Sequence, residues 1–244
     1  MAAETLALLA SARVISWMLP RRSAVGGGAE EPEERTLREV KPLLPTHGKS
    51  TVVASSYYSA SDAHYLMQEV KFLKSLRLRP KRIIDASAHV GFVTRTLAHL
   101  YPRASVTAIE LVPETHDALL ENLRRAGLSE RVKAVLGDSV EYLRDLPDDS
   151  ADLVYFDPPW EFVPVKPAPA DLVLGTGDNL RPLADVIRLT LPKSRYVLAK
   201  YPPYIDLTPV KRRVGARVVA GTRVTRPLGG AVKHLYTLVL FERC

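Results

Sequence analysis

The sequence predicts an α/β fold in which helices cover both faces of a doubly wound, mostly parallel sheet closed by an antiparallel C-terminal strand. Two observations support this fold class. Short apolar segments alternate with helical patterns between about residues 80 and 200, as in consecutive βαβ units. Two later segments, residues 214–219 and 236–241, resemble strands without a helical pattern between them, which indicates the closing antiparallel pair.

The individual elements follow from apolar spacing and from residues that end helices. Pro80 and Pro102 each end a helix, and Gly127 is a typical C-cap. The predicted helices cover about residues 61–78, 93–100, 113–126, 140–143 and 179–191, the first capped by Ser61 or Asp62. The predicted strands before the closing pair cover residues 82–85, 105–110, 132–136, 151–156 and 196–199.

The first 50 residues differ from the rest of the chain. Residues 1–19 contain an apolar run that is too short to span a bilayer, which predicts a short N-terminal helix. A transit peptide is the alternative, because Arg13, Arg21 and Arg22 are basic. Residues 20–50 are predicted to be a flexible linker because they contain three consecutive glycines and an acidic stretch. Residues 51–244 then form one folded domain.

The net charge favours a nucleic acid as partner, and the cysteine content excludes two kinds of site. The net charge is +7, and from Glu161 onward 14 Lys or Arg residues face 6 acidic residues. The expected phosphate contacts are Lys211, Arg212, Arg213, Arg217, Arg223 and Arg226, with a merely solvated basic face as the alternative. The only cysteine is Cys244, which excludes an intrachain disulfide and a cysteine zinc site. We expect no metal.

Informative residues follow the first three strands, where ligands of such sheets bind. After strand one, Asp85, Ala86 and Ser87 lead through small residues to Gly91, a turn that lets a ligand approach the backbone closely. Glu110 follows strand two and can accept hydrogen bonds from two ribose hydroxyls. Asp138 and Ser139 follow strand three, where Asp138 can also cap a helix.

The segment Asp157-Pro158-Pro159-Trp160 follows strand four and is the strongest signal in the chain. Its pattern resembles the signature of methyltransferases that act on amino groups. An exocyclic amine of a nucleobase is a poor nucleophile because its lone pair is delocalised into the ring. The Asp157 carboxylate and the Pro158 carbonyl can accept its two N–H groups, the prolines restrict the loop, and Trp160 can stack on the base.

Between about Ala54 and Phe241 the sequence resembles the RNA cap guanine-N2 methyltransferases, the trimethylguanosine synthase family, which includes giant-virus members. The similar segments are 83–86, 107–110, 137–138, 154–160, 171–175 and 198–202. The resemblance implies a Rossmann-like class I methyltransferase sheet and S-adenosylmethionine as the cofactor. It implies that Asp138 binds adenine and that Trp160 stacks on 7-methylguanine with a cation–π contribution.

The resemblance also implies a site in which Asp157, Pro158 and Trp160 are catalytic. Asp85, Ala86, Ser87, Gly91, Glu110, Asp138 and Ser139 would bind the cofactor, and Trp160, Lys200 and Tyr201 would bind the substrate. Two departures stand out: His89 occupies the position of the usual first glycine of the turn, and Glu161-Phe162 replace the two glycines that usually follow the tryptophan. They bear on cofactor affinity and on cap specificity, respectively.

Four functions remain open at this point. The first is a cap guanine-N2 methyltransferase, with capped RNA as partner and no membrane association. The second acts on adenine N6 or on guanine N2 of ribosomal RNA, since the same four residues would serve. The third is a non-catalytic RNA-binding protein of methyltransferase fold. The fourth is a methyltransferase that acts on a protein or a small molecule. We expect an intracellular location, cytoplasmic or nuclear, and the resemblance is compatible with a viral origin.

Overall fold

The structure, a computed structural model, describes residues 63–160, 168–228 and 231–244. The helix and linker predicted for residues 1–50, and the predicted helix start at Ser61 or Asp62, lie outside these ranges. The helices are α1 (Ala63–Ser75), α2 (Phe92–Leu100), α3 (Pro113–Arg125), α4 (Ser139–Asp145), α5 (Leu183–Thr190) and α6 (Leu207–Val214). Among the described residues, no helix has the length and apolar character needed to cross a bilayer.

Seven strands build the main sheet: β1 (Arg82–Asp85), β2 (Ser105–Glu110), β3 (Val132–Leu136), β4 (Ala151–Phe156), β7 (Ser194–Tyr201), β8 (Arg217–Leu228) and β9 (Ala231–Glu242). A small antiparallel pair, β5 (Val173–Leu174) and β6 (Arg181–Pro182), stands apart. The sheet order is β3-β2-β1-β4-β7-β9-β8. The first five of these strands are parallel, and β9 lies antiparallel between β7 and β8. The predicted fold class is confirmed.

The bounds of β1 to β4 are those that the sequence predicted, whereas later segments differ. The strand predicted for residues 196–199 extends over all of β7. The helix predicted from about Asn179 begins only at Leu183. Pro182 restricts the residue before it to extended conformations, so residues 181–182 pair with β5 instead of joining the helix.

The strand predicted for residues 214–219 is also corrected at its start. Val214 ends α6, which the sequence analysis missed, and β8 begins at Arg217. Asp206 caps this helix by accepting from the Thr208 N–H, and Gly215 ends it in the left-handed conformation with φ of 69°. Both signals were present in the sequence. The closing strands β8 and β9 are each twelve residues long, about twice the predicted length.

The sheet separates two hydrophobic layers. Helices α1 to α3 pack on one face and α4 to α6 on the other. The side chains of β4 alternate between the layers, with Leu153 and Tyr155 in the first and Val154 and Phe156 in the second. Because the helices cover both faces, a ligand can reach the sheet only at an edge, and in parallel sheets that edge is the carboxyl end.

Candidate active site at the carboxyl edge of the sheet

The loops that follow β1, β2 and β4 are tied together at the carboxyl edge. The Ala86 N–H donates to the Tyr155 carbonyl at 2.9 Å, and the Ala88 N–H donates to the Ile109 carbonyl at 2.9 Å. The Asp157 N–H donates to the Ser87 hydroxyl at 2.6 Å. The turn after β1 is therefore hydrogen-bonded to the segment that carries Asp157. The two segments lie close together because β1 and β4 are neighbouring parallel strands.

Asp85 lies at the bottom of this site and is fully buried. Its carboxylate accepts from the Thr94 hydroxyl at 2.6 Å and from the Ser87 N–H at 3.4 Å. Burial raises the pKa of Asp85 to about 7, although these two hydrogen bonds favour the charged form. A cation bound in the turn would stabilise the ionised carboxylate.

His89 and Gly91 shape the turn through their backbones. His89 has φ of 51° and Gly91 has φ of 91°, so both adopt the left-handed conformation that favours glycine. A Cβ at Gly91 would lie 2.6 Å from Leu119 Cδ1, so a larger residue at this position would require Leu119 to move. His89 keeps the glycine-like backbone despite its side chain. Burial lowers the pKa of its imidazole, against the opposing charges of Glu110 and Asp157.

Glu110 joins the same turn. Its Oε2 accepts from the His89 N–H at 2.8 Å, and its Oε1 accepts from the Val112 N–H at 2.9 Å. Each carboxylate oxygen can accept a second hydrogen bond, so the pair remains able to bind two hydroxyls. His89, which replaces the usual first glycine of the turn, therefore contacts Glu110, the predicted ribose-binding residue, through its backbone N–H.

Both carboxylate oxygens of Asp138 accept hydrogen bonds from groups of the protein. Its Oδ1 accepts from the N–H groups of Val140 and Glu141 and caps α4, in which Ser139 is the first, buried residue. Its Oδ2 accepts from the Thr176 N–H at 2.7 Å and the Thr176 hydroxyl at 2.9 Å. The helix-capping alternative for Asp138 is therefore realised, and adenine binding by this carboxylate stays a prediction.

Asp157 belongs to a buried cluster of charges that spans three elements. Lys200 on β7 donates from Nζ to Asp157 Oδ2 at 2.9 Å and lies 3.5 Å from Glu69 Oε1 on α1. The side chains of Lys200 and Glu69 are 6% and 3% exposed, against 22% for Asp157. Burial acts to lower the pKa of Lys200, but the charges of Asp157 and Glu69 outweigh it and raise that pKa.

Tyr236 on β9 completes this cluster. Its hydroxyl donates to Glu69 Oε1 at 2.6 Å, and its ring centroid lies 4.1 Å from Lys200 Nζ in a cation–π contact. Burial raises the pKa of Glu69, and the neighbouring Lys200 charge and the Tyr236 bond oppose that shift. The sequence analysis missed both residues. Glu69 could have been found, since it is four residues from Tyr65 and from Leu73, on the apolar face of α1.

Trp160 and Pro158 frame the carboxylate. The Trp160 indole N–H donates to Asp157 Oδ1 at 3.3 Å, and its ring lies 6.4 Å from the Tyr236 ring at an angle of 57°. Trp160 is half-buried, whereas Pro158 is buried. Both oxygens of Asp157 are thus held, and the partly exposed indole borders the same opening.

The structure corrects one predicted substrate contact. Tyr201 is fully buried in the hydrophobic layer under α5 and α6, so its ring is not available to a base. Lys200 is also buried and contacts carboxylates of the protein at the candidate site, and substrate binding by its side chain stays a prediction. Successive residues of a strand point to opposite faces, which is why Lys200 reaches the site and Tyr201 does not.

The acceptors at this edge fit a cofactor that carries ribose hydroxyls and a positive centre. The carboxylates of Asp85 and Glu110 accept from N–H groups of the turn, and Asp157 pairs with Lys200. The Tyr155 hydroxyl is fully buried and has no hydrogen-bond partner among the described residues. Burial, followed by the charges of Glu69 and Asp157, raises the pKa of Tyr155. In the described ranges, no group of His, Cys, Asp or Glu is arranged to hold a metal ion.

Comparison with known proteins supports this assignment of the fold. No protein-family model matches the chain. It is 29% identical over 133 residues to a malonyl-[acyl-carrier protein] O-methyltransferase of Halorhodospira halophila, covering 54% of this chain and 38% of that protein. It is 32% identical over 108 residues to a catechol O-methyltransferase of Mycobacterium tuberculosis, covering 41% and 49%. The chain thus spans less than half the length of these curated relatives.

Two solved structures share the architecture. A Pyrococcus horikoshii protein described as an RNA methyltransferase matches with a TM-score of 0.54 at 17% identity, covering 86% of this chain and 98% of that one. A SAM-dependent methyltransferase of Agrobacterium tumefaciens matches with a TM-score of 0.53 at 14% identity, covering 74% and 62%. The fold is therefore that of the class I S-adenosylmethionine-dependent methyltransferases.

Proposed function

Given this class I methyltransferase fold, we propose that the protein transfers a methyl group from S-adenosylmethionine to the N2 amine of a guanine in RNA, with the 7-methylguanine cap as the preferred target. One observation carries the proposal. Asp157 follows β4, is joined to the turn after β1 through Ser87, and accepts a hydrogen bond from Lys200 Nζ. The resemblance to the cap guanine-N2 methyltransferases adds the cap, and a nuclear or cytoplasmic location would follow from such a substrate.

The charge of Asp157 favours guanine over the other bases. An ionised carboxylate only accepts hydrogen bonds. The Watson–Crick edge of guanine offers two adjacent donors, the N1–H and the N2 amino group. Adenine offers its N6 amine beside the N1 acceptor, and cytosine offers its N4 amine beside the N3 acceptor. The lone pair of that ring nitrogen would repel the carboxylate. Lys200 Nζ donates to Asp157 Oδ2 at 2.9 Å, so this oxygen already acts as an acceptor in the folded protein.

The residues of the chain then orient and stabilise the amine. When bound, S-adenosylmethionine supplies an activated methyl group on a sulfonium, so the protein need not provide a nucleophile. Asp157 accepts an N–H of the amine and stabilises the positive charge that develops on nitrogen as the new N–C bond forms and the S–C bond breaks. The proton that the nitrogen then loses can pass to the carboxylate. Glu110, through two ribose hydroxyls, would hold the cofactor near the turn.

The relatives support the reaction class more than the substrate. The names of the curated relatives specify transfer to oxygen in malonyl and catechol substrates, and a third relative, 34% identical over 91 residues, is a release factor glutamine methyltransferase of Moorella thermoacetica. All are methyltransferases. The description of the P. horikoshii protein names RNA. Guanine as the target therefore rests on the chemistry of Asp157.

The test is transfer of a labelled methyl group to 7-methylguanosine-capped RNA, uncapped RNA and DNA, followed by nucleoside analysis. We expect N2-methylated guanine from capped RNA. Asp157→Ala should lower the rate by two or more orders of magnitude, because loss of a preorganised acceptor costs on the order of 3 kcal/mol, and should leave cofactor affinity unchanged. Asp148→Ala is the matched control, since Asp148 is exposed and pairs with Lys193 on the surface. Label in adenine N6 would replace guanine as the target, and full activity of Asp157→Ala would overturn the site.

A further inference from the structure

A groove of about 630 Å³ lies between α4 and α5 and is rich in arginine. Four guanidinium groups line it, those of Arg144, Arg181, Arg188 and Arg213. The side chains of Arg144, Arg188 and Arg213 are 46%, 60% and 51% exposed, so the groove is open to solvent. It lies on the face of the sheet that α4 to α6 cover.

One lining carboxylate faces these four cations. Asp185 receives two hydrogen bonds from Arg213, one of them from Nε at 2.8 Å, and lies 3.9 Å from Arg188 Nη1. The hydrogen bond from Arg213, followed by the charges of Arg213, Arg188 and Arg181, lowers the pKa of Asp185, which therefore stays ionised. Within the described part of the chain, Arg181 has no carboxylate within 4 Å. Arg144 lies 3.7 Å from Asp145, so the four arginines and these two carboxylates leave a surplus of two positive charges.

The arginines occupy regular positions on facing elements. Arg144 lies four residues after Val140 on α4, and Arg188 lies three residues after Asp185 on α5, so each pair shares a helix face. The apolar side chains of Val140 and Leu189 also line the groove. A lining that combines guanidinium and apolar groups suits a ligand that combines phosphates with ribose and base surfaces.

We propose that this groove binds the phosphates of a single-stranded RNA segment next to the methylated nucleotide. The inference rests on the proposed function for the presence of RNA and goes beyond it by placing the strand. Guanidinium groups bind phosphate oxygens in a bidentate geometry, and their planes stack on bases. Val140 is two residues after Asp138, so the groove begins beside the candidate active site and runs down α4.

This placement differs from the basic face predicted from the sequence. Of the residues predicted there, Arg213 is bound to Asp185, and Arg217 forms an ion pair with Glu242. The residues Arg144, Arg181 and Arg188 were not part of that prediction. Charge along the sequence could not reveal this site, because its four arginines come from four separate elements that only the folded chain brings together.

The test measures binding of a labelled 20-nucleotide single-stranded RNA to the full chain by fluorescence anisotropy at several salt concentrations. The variant is Arg181→Gln combined with Arg188→Gln. The matched control is Arg79→Gln combined with Arg103→Gln, which removes the same charge from exposed arginines at the opposite end of the sheet. The groove variant should bind roughly tenfold more weakly, and its slope of log affinity against log salt should be shallower by about 1.4, since each lost contact to single-stranded RNA contributes about 0.7. The control should resemble the wild type.

A variant of opposite sign sharpens the test. Asp185→Asn removes the negative charge from the groove and should strengthen RNA binding several-fold. Equal losses of RNA affinity in the groove variant and the control, or no loss in either, would overturn the groove as an RNA site. Binding of labelled oligo-glutamate by a protein that has no affinity for RNA would overturn it as well. Methyl transfer separates the two proposals: RNA binding through the groove without transfer to any RNA contradicts the proposed function alone. Transfer to a free capped nucleotide that groove substitutions and RNA length do not influence contradicts the groove alone.

Discussion

Lys200 Nζ lies 2.9 Å from Asp157 Oδ2, so the carboxylate that follows β4 is bound to an amine on the neighbouring strand β7. The parallel register places Phe156 opposite Ala199, which brings the next residues of both strands to the same edge. The same amine lies 3.5 Å from Glu69, whose position on α1 is set by a different layer of the fold. The orientation of Asp157 therefore depends on two strands and a helix.

Replacing this amine should destabilise the protein and its activity together. Lys200→Met leaves Glu69 and Asp157 buried without their cation, so we expect the free energy of unfolding to fall by about 3–5 kcal/mol. Methyl transfer should fall at least tenfold while cofactor affinity changes little. Urea denaturation and single-turnover transfer measure the two effects.

The control for Lys200 is Lys193→Met, which removes a surface pair with Asp148 and should cost about 1 kcal/mol or less. Adding Glu69→Gln to Lys200→Met should restore part of the lost stability, because one uncompensated charge is removed. Equal losses in Lys193→Met and Lys200→Met would contradict a special role for the buried cluster.

Two substitutions separate the roles of Trp160. Trp160→Phe keeps an aromatic ring but loses the indole N–H that donates to Asp157 Oδ1, and Trp160→Ala loses both. We expect Trp160→Ala to weaken binding of a 7-methylguanine nucleotide by about 1–3 kcal/mol, with a smaller loss for unmethylated guanine because only the methylated base is a cation. Trp160→Phe should retain most of the affinity and lose rate. Calorimetric titration with both nucleotides is the measurement, and equal losses for them would count against the cap.

Asp85 should make the free energy of unfolding decrease as pH rises, which is the opposite of the usual effect of a carboxylate. Its pKa is raised from 3.8 to about 7, so the folded protein retains this proton over a range in which the unfolded chain has lost it. The free energy of unfolding should therefore fall as pH rises from about 4 to 7, by at most about 4 kcal/mol from this group. Asp85→Asn cannot ionise and should lack this decline, so it should be more stable than the wild type at pH 8.

Asp152 provides a control of opposite sign. The backbone N–H groups of Lys81 and Arg82 bind its carboxylate and outweigh burial, so the pKa of Asp152 is lowered. Its contribution to stability is present above pH 4 and is lost as pH falls below that value. Asp152→Asn should therefore reduce stability at pH 8. A wild type and an Asp85→Asn variant with parallel stability curves between pH 4 and 8 would show that Asp85 does not retain its proton.

The left-handed conformation of His89 leads to a comparison of two substitutions. His89→Gly adopts φ of 51° without strain and keeps the N–H that donates to Glu110, so cofactor affinity should be retained or improved. His89→Val places a β-branched residue in the same conformation and should cost about 1–3 kcal/mol of stability. Thermal unfolding and cofactor titration test both. If His89→Gly instead abolishes cofactor binding in folded protein, the imidazole itself is required.

Much of the fold followed from local patterns. The bounds of β1 to β4 depend on short apolar runs and their terminators, which are properties of neighbouring residues. The start of the predicted strand at residues 214–219 was misplaced because α6 is short and half of its residues are polar, so its capping residues Asp206 and Gly215 carry its signal more than apolar spacing does. The first helical turn predicted at Asn179 was lost to strand pairing with β5, a contact that local propensity does not contain.

The order of residues along the chain determined where the site lies. In a parallel sheet every strand ends at the same edge, so Asp85, Glu110, Asp138 and Asp157 had to meet once the strands were recognised. Only the tertiary structure decided what each carboxylate contacts. Glu69 and Tyr236 are 167 residues apart in the sequence, yet they share a 2.6 Å hydrogen bond beside Lys200. Such contacts depend on how helices and closing strands pack over the sheet, and packing depends on the shapes of all surfaces in contact, so no short segment can specify them.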